Sequence, residues 1–503
     1  MRVKNHRVLM PAVSVAVLVF GIGYYGVQLA NKQNVFSKAL AYTSAVNPVD
    51  PSTAPDSYEI KFTDANFKRA LNSVLMKTDT SRNLDSPITV GAAKKMTSFW
   101  PDAAYRNFEN LEGIQYFTNL EIIHVAGISS LKDISAIDLG ALVVKEAVKR
   151  SGVSPEKIDE VIIGQVGQIA ENGFIARAIQ LKAGLPETTT SYSVNRQCGS
   201  GLQSIVNAVM EIQTGAAEIV VAGGSENISQ LPYYVRDARW GTKMGHRIFE
   251  DGVIDILTWP LGPYHNGITA ENVAEKYNIT REEQDIYACE SHNRAFNAIK
   301  NGLFKDEIIG VELKDRKGNI TIFDTDEGVR DGLNVEKLGK LKACFKENGV
   351  VTAGNSSSLN DAAAAVVVMS EEKATELGLK PMLIIEGFAV AGNDGAYMGY
   401  APKLSSEKLA QQLNLNLKDI DMFEINEAFA SQVCAVRRDL NLDPEKTNIY
   451  GGGISIGHPI GATGTVLTVK VMYELNRSNK RDAMISMCIG GGQGISMYFT
   501  KPE

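Results

Sequence analysis

Two hydrophobic rhythms divide the chain. From Asp138 to Gly152 the stretch DLGALVVKEAVKRSG sets Leu139, Leu142, Val143 and Ala147 on one helical face, with Gly152 placed to close the helix. Ser154 and Pro155 predict a helix restart by N-cap and first-turn chemistry. The short apolar runs EVIIGQV (160–166) and EIVVAGG (218–224), with glycine at or near their ends, read as buried strands feeding loops. Such alternation predicts stacked α/β layers around a largely parallel sheet, an architecture that puts its chemistry at strand ends.

Ahead of Asp138 the pattern differs. Val8 to Ala30 is an uncharged apolar run long enough to span a bilayer, preceded by Arg2, Lys4 and Arg7. It predicts an N-terminal membrane anchor; a signal peptide is the competing reading, because Ala39-Leu40-Ala41 has the small-residue form of a cleavage site. Asn47 to Ser57, rich in Pro, Ser and Asp, reads as a linker. After it, Asp64 is a plausible N-cap for a helix carrying Phe67, Ala70, Leu71 and Val74. Residues 110–137 repeat a Leu/Ile-rich phrase, Leu111 and Ile114 being echoed by Leu120, Ile122 and Val125. This stretch resembles the cap and first repeat of internalin-like leucine-rich-repeat surface proteins. Because about three repeats are needed for a stable stack, a truncated solenoid is expected.

Composition acts mainly by exclusion. At 503 residues the chain exceeds one ordinary core. A formal charge of −7 with no basic cluster argues against a nucleic-acid partner. The five cysteines and six histidines are scattered, with no CxxC and no zinc-type spacing, so no metal site is expected.

Cys198 carries the first candidate chemistry. It precedes Gly199-Ser200-Gly201 and a run in which Leu202, Ile205, Val206 and Val209 mark a helix. A thiol near the free N–H groups and positive end of a helix is expected to have a lowered pKa and to be nucleophilic. A small buried hydrophobe in a turn is the alternative. Three further Gly-rich loops bear on the choice: NIYGGGISIGHPIGATG with His458, SMCIGGGQGISMYF with Cys488, and the FEINEAFASQV junction with Asn426 and Glu427.

Together these motifs are specific. From about Leu131 to Pro502 the sequence resembles a thiolase of the acetyl-CoA acetyltransferase type, with NRQCGSG, GGSENIS, TAENVAEKY, TAGNSSSLNDAAAA, NEAFA, GHPIGATG and CIGGGQG in that family's order and spacing. The resemblance implies a five-layer αβαβα fold of two related halves, with Ile228 to Ser358 as a loop-domain excursion. It implies that Cys198 is acylated by an acyl-CoA thioester while His458 takes its proton. Cys488 would exchange a proton with the α-carbon of the second acyl-CoA. Asn426, through a water, and His458 would hold one thioester oxygen, and the N–H groups of Cys198 and Gly490 a second. Ser357 and Leu359 match pantetheine and adenine contacts, His265 lies beside the pantetheine and Met398 near the acyl pocket; Met398 and Leu359 as plain core, and His265 as a hydrogen-bonded loop residue, remain open. Cys289, Cys344 and Cys434 match no catalytic position and are expected to be buried apolar residues.

The implied reaction is Claisen condensation of two acetyl-CoA or thiolysis of a short 3-ketoacyl-CoA. Coenzyme A thioesters are its substrates, no cofactor is permanently bound, and a homo-oligomer is expected. A β-ketoacyl synthase is the nearest rival, and the second cysteine in CIGGGQG separates the two. A membrane-anchored repeat protein fused to an inactive thiolase fragment is the rival of another class. The expected organisation is an anchor or signal segment with linker (1–57), a repeat-like cap (58–130), a first thiolase half with the loop domain (131–358) and a second half (359–503). Asn266 stands where the family usually has Met. The family's opening strand and Arg-Thr-Pro turn are absent, and LEIIHVAGISSLKDISAI takes their place, as though two coding sequences had been joined at the shared phrase SLKDISAI. Ile122, Ile123 and Val125 are thus candidates either for a substitute strand or for the repeat. An anchor and a coenzyme A enzyme imply opposite sides of a membrane, so the thiolase portion is expected in the cytoplasm against the direction of the anchor.

Overall fold

The computed structural model describes residues 130–502 except 242–246, 263 and 316, together with scattered positions between 57 and 123. The Val8–Ala30 run, most of the linker and most of the repeat-like segment lie outside the described residues. Among the described residues no helix is long and apolar enough to cross a membrane. The chain divides into two units, Met1–Val125 with Met244–Ile248, and Ala126–Lys243 with Phe249–Glu503.

In the first unit Lys68, Arg69, Leu71, Asn72 and Leu75 are helical, on the predicted stretch. The buried Asn72 amide donates to Ser86 O (2.9 Å), and Arg69 pairs with Asp85 (2.9 Å). Ser98–Phe99 pairs in parallel with Ile122–Ile123. Of the two roles open to Ile122 and Ile123, the described pairing is therefore within this unit.

The second unit begins with helix α1, Ala136–Ser151, capped by the Ser135 hydroxyl, which accepts from Asp138 N (3.0 Å), and closed by Gly152 at φ 74°. That φ is the left-handed conformation a glycine adopts without a Cβ penalty. The predicted restart at Ser154 is only a single 3-10 turn, Pro155–Lys157. The Ser154 hydroxyl donates to the Glu156 carboxylate and caps no N–H, and the turn ends at buried Ile158, just before the next strand. In order follow β1 (Glu160–Gly164), α2 (Ile175–Lys182), β2 (Thr190–Val194), α3 (Ser200–Thr214) and β3 (Ile219–Glu226). An excursion carrying α4 (Asn266–Lys276) and α5 (Arg281–Lys300) then leads to β4 (Ala362–Met369). The second half comprises β5 (Ile384–Gly392), α6 (Ala401–Leu413), β6 (Phe423–Ile425), α7 (Ala430–Asp439), α8 (Thr463–Arg477), β7 (Asp482–Ile489) and β8 (Gln493–Thr500).

The strands form two four-stranded mixed sheets, ordered β4-β3-β1-β2 and β5-β8-β7-β6. In the first, β1 is parallel to β2 and β3, and β4 is antiparallel to β3. In the second, β6 and β7 are parallel while β8 is antiparallel to both β7 and β5. Strand alternation builds the layers. Val220 and Ala222 of β3 face the same cluster as Leu202 and Ile205 of α3, Leu467 and Val471 of α8, and Ile485 and Met487 of β7. Ile219 and Val221 face the opposite way, against Val144 and Val148 of α1 and Ile175 and Ile179 of α2. On the far side, Met484 and Phe423 pack on Leu409, Val433 and Val436. The result is helix, sheet, helix, sheet, helix, with α3 and α8 in the middle. Each fully buried aliphatic side chain there contributes about 1.5–3 kcal/mol, so the central layer fixes the two sheets, and hence their strand exits, against each other.

Candidate active site

Cys198 sits in the turn between β2 and α3. Gln197 takes a left-handed φ of 46°, and the Ser200 hydroxyl accepts from Arg196 N (2.9 Å) while donating to Gln197 O (2.6 Å), which fixes the turn. A side chain at Gly201 would bring its Cβ 2.9 Å from Gly461 O and 2.8 Å from Thr465 Oγ1, so this glycine lets α3 approach the His458 loop. Cys198 is 4% exposed and packs with Val166, Ile228, Leu231 and Ile460, the last two residues beyond His458. Its thiol pKa is not lowered as the helix start suggested. Burial pushes it up to about 11, although the N–H groups of Gly490 and of Cys198 itself are directed at the sulfur and pull the other way. Desolvation of a thiolate outweighs two backbone dipoles here.

The His458 ring is held at both nitrogens. Its backbone N–H donates to Asn360 Oδ1 (3.1 Å) and Ser358 O (3.3 Å). Nδ1 lies 2.6 Å from Thr463 Oγ1, whose own proton goes to Pro459 O (3.0 Å). With that proton on Pro459 O, Thr463 accepts from Nδ1–H and Nε2 is the basic nitrogen, 3.4 Å from the Asn426 amide nitrogen. Burial lowers the imidazole pKa to about 4, so the ring is neutral near pH 7.

Asn426 leaves β6 with its N–H on Ser486 O (2.9 Å), and its buried Oδ1 has no hydrogen-bond partner among the described residues. Next to it, Glu427 accepts from Tyr287 (2.8 Å), Ser291 (2.7 Å), Asn448 (2.9 Å) and Ile454 N (3.1 Å), tying the Asn426 turn to α5 and to the loop before His458. Cys488, at the end of β7, is fully buried among Met398, Ala270, Ala428 and Phe429. Its pKa is raised by burial and then by the neighbouring Cys198 sulfur, so the two thiols sit within electrostatic reach of each other.

Around this centre, Met398 packs beside Cys488, while Leu359 is 42% exposed and bridges to His458, which excludes a plain core role for Leu359. Ser357 N donates to Ala428 O (3.0 Å), joining the two loops. His265 Nδ1 caps α4 by accepting from Gly267 N (3.1 Å), and its ring stacks on Phe345 at 5.2 Å. Of the other cysteines, Cys289 is buried as expected, but Cys344 is exposed and Cys434 half-buried. Cys344 lies in an irregular stretch after the short helix Val335–Gly339, where no layer covers it.

Two residues that the sequence did not single out position the site, Thr463 and Glu226, beside Glu427, which the sequence offered together with Asn426. Glu226, fully buried at the end of β3, accepts from Val166 N (2.9 Å), Gly167 N (3.0 Å) and Gly461 N (3.0 Å), fastening the His458 loop to the strand ends. Burial raises its pKa to about 7. GGSENIS and GHPIGATG were the available signals, but only the fold shows that one answers the other.

Comparison with known proteins bears directly on this arrangement. Family models for the thiolase N-terminal and C-terminal domains match residues 123–372 and 379–501. A probable acetyl-CoA acyltransferase of Staphylococcus aureus is 47% identical over 373 residues, 74% of this chain and 95% of the relative. The crystal structure of the Bacillus anthracis acetyl-CoA acetyltransferase superposes with a TM-score of 0.72 at 44% identity, covering 74% of this chain and 94% of that one. Human mitochondrial 3-ketoacyl-CoA thiolase gives 0.72 at 41% over the same shares.

Proposed function

The chain belongs to the thiolase family, and from that premise we propose that it is an acyltransferase that condenses two acetyl-CoA to acetoacetyl-CoA, or cleaves a short 3-ketoacyl-CoA, through an acyl-Cys198 intermediate. The observation that carries this reading is a neutral His458, its Nε2 3.4 Å from the Asn426 amide nitrogen, on a loop whose Ile460 packs against Cys198, with Cys488 within electrostatic reach of Cys198.

In thiolysis, His458 Nε2 takes the Cys198 proton as the sulfur attacks the 3-keto carbonyl. The bond between C2 and C3 breaks, and the departing carbanion takes the Cys488 proton. Coenzyme A then attacks acyl-Cys198, its thiol proton passing to the Cys488 thiolate, while Cys198 leaves as a thiolate and recovers its proton from His458. Condensation is the reverse. A Cys198 thiol with a pKa near 11 is not a standing thiolate at pH 7, so proton transfer to His458 accompanies attack. The unpartnered Asn426 Oδ1 suits an ordered water, and that water with His458 would hold one carbonyl oxygen as it gains charge. The N–H groups of Cys198 and Gly490 would hold the other. Ser357, Leu359, His265 and Met398 would line the way in for the coenzyme, with nothing permanently bound.

Beyond the catalytic centre, the homo-oligomer rests on the family resemblance. Membrane association rests on the Val8–Ala30 run, and the internalin-like reading of 58–130 on its Leu/Ile phrases. The test of the central reading is acetoacetyl-CoA thiolysis by the full chain beside its Cys198→Ala variant. Thiolysis by the parent alone is expected, and equal rates would remove the acyl-cysteine route.

A further inference from the structure

Helix α4 begins between the surroundings of the two thiols. Asn266, its first residue, donates its backbone N–H to Leu257 O (2.9 Å), and Leu257 packs on the cluster that holds Cys198. One turn on, Ala270 packs with Cys488, Met398, Ala428 and Phe429. Residues four apart share a helix face, so Asn266 stands on the α4 face that meets Cys488, at the end nearer the Cys198 cluster. Gly267 beside it faces Phe345: a Cβ there would lie 2.3 Å from that ring, which meets Phe429 edge-on at 6.1 Å.

Among these apolar groups Asn266 is the exception. It is 9% exposed, its backbone C=O is taken by the Thr269 hydroxyl (2.7 Å), and its side-chain amide makes no hydrogen bond among the described residues. Neighbouring polar groups are occupied, His265 by Gly267 N, and Glu271 by Val350 N and Val351 N (2.9 Å each). A buried amide without a partner is costly, and a site that keeps one favours a ligand that supplies the missing bonds. The amide offers both a donor and an acceptor, which a hydroxyl answers together and a carboxylate only in part. A carboxylate would also lie near Glu226 without a counter-charge, since the one buried Lys or Arg among the described residues, Lys470, is held by Glu424 (2.9 Å) and Gly451 O (2.8 Å).

We propose that Asn266 is a specificity-determining residue whose amide reads a hydroxyl on the acyl chain carried by Cys198, so that short hydroxyacyl-CoA thioesters are preferred over plain ones of the same size. This rests on the acyl-Cys198 reading above and names the substrate class within it.

The probes are two pairs of thioesters that exchange a methyl for a hydroxyl at one position: propionyl-CoA with glycolyl-CoA, and butyryl-CoA with 3-hydroxypropionyl-CoA. Each is mixed with the full chain and quenched early, and acyl-Cys198 is counted by peptide mass spectrometry, with acetyl-CoA as the reference. In at least one pair the hydroxyl member is expected to label Cys198 about tenfold faster. That ratio should fall to one or below in Asn266→Met, which restores the family's usual residue, and in Asn266→Ala. A ratio taken within one preparation is independent of how much of a variant is folded. Equal or slower labelling by the hydroxyl member of both pairs in the parent overturns the proposal, as does a preference that survives both substitutions. Succinyl-CoA reacting faster than 3-hydroxypropionyl-CoA overturns the assignment to an uncharged chain. Failure of acetyl-CoA to label Cys198 overturns the acyl-cysteine reading itself, whereas acetylation without a hydroxyl preference overturns only the role of Asn266.

Discussion

The first and second halves of the catalytic unit place their strand exits alike and use them differently. From the first half, β1 leads to Gln165, the residue after its end at Gly164, β2 leads to Cys198 and α3, and β3 ends at Glu226. From the second, β6 leads to Asn426, the segment from Thr447 leads to His458 and α8, and β7 carries Cys488. In the proposed reaction one half would supply the nucleophile, beside a carboxylate that fastens backbone, and the other the base, the amide and the second thiol. Gln165, at the place equivalent to Asn426, is fully buried, and neither side-chain amide atom has a partner among the described residues. The edge positions differ as well, β5 closing one sheet and nothing among the described residues closing the other. A pseudo-repeated scaffold therefore sets where chemistry can sit, whereas the identity of each exit residue decides which half performs it. The outer edge strand is not among the exits, so an open edge leaves Cys198, Asn426, His458 and Cys488 in place.

The widest gap between the halves opens at Cys198. Cys198→Ala is expected to lower acetoacetyl-CoA thiolysis on the order of 10⁴-fold or more, since no other group forms the covalent bond. Second-half substitutions cost less and separate by step. His458→Ala and Cys488→Ala each lower turnover about 10²–10⁴-fold, but mass spectrometry finds Cys198 still acylated by acetyl-CoA in the Cys488 variant, with acylation itself slowed in the His458 variant.

Acid should reveal the buried imidazole. An unfolded His458 binds its proton near pH 6.5, whereas the folded ring does so only near 4. Between those values the unfolded chain holds more protons, so stability falls as pH drops from 6.5 to 4, by about 3 kcal/mol from this group. Urea unfolding of the parent and of His458→Asn across that window measures the difference. The smallest change is expected from Thr463→Val, which frees the ring tautomer and lowers kcat about tenfold with KM nearly unchanged. Thr463→Ser restores the rate, which a merely steric role for the methyl would not allow.

Much of this was legible in the sequence because it rests on local pattern. The α1 stripe, the β1 and β3 runs and the four Gly-rich loops stand where the periodicity and the motifs put them. What escaped depends on residues far apart in the chain. The dipole argument at Cys198 was sound for an exposed thiol, but Ile228, Leu231 and Ile460 bury this one and reverse the shift. The His458 tautomer follows from a proton that Thr463 gives to Pro459, a chain of contacts that loop composition cannot specify. Ser154 makes no side-chain cap, and the turn it opens stops at buried Ile158, which the local Ser-Pro signal does not foresee. The absence of the family's Arg-Thr-Pro phrase could be noted from sequence, whereas the edge of β4 that pairs with no strand among the described residues shows only in the strand order.

The account stands most directly on where the acyl group goes. Peptide-resolved mass spectrometry after a brief incubation of the full chain with acetyl-CoA should place one acetyl group on Cys198, with none on Cys488, Cys344 or Cys434, and should find no acetyl-cysteine in Cys198→Ala. Acetyl transfer to another cysteine, or the same labelling in the alanine variant, would contradict it.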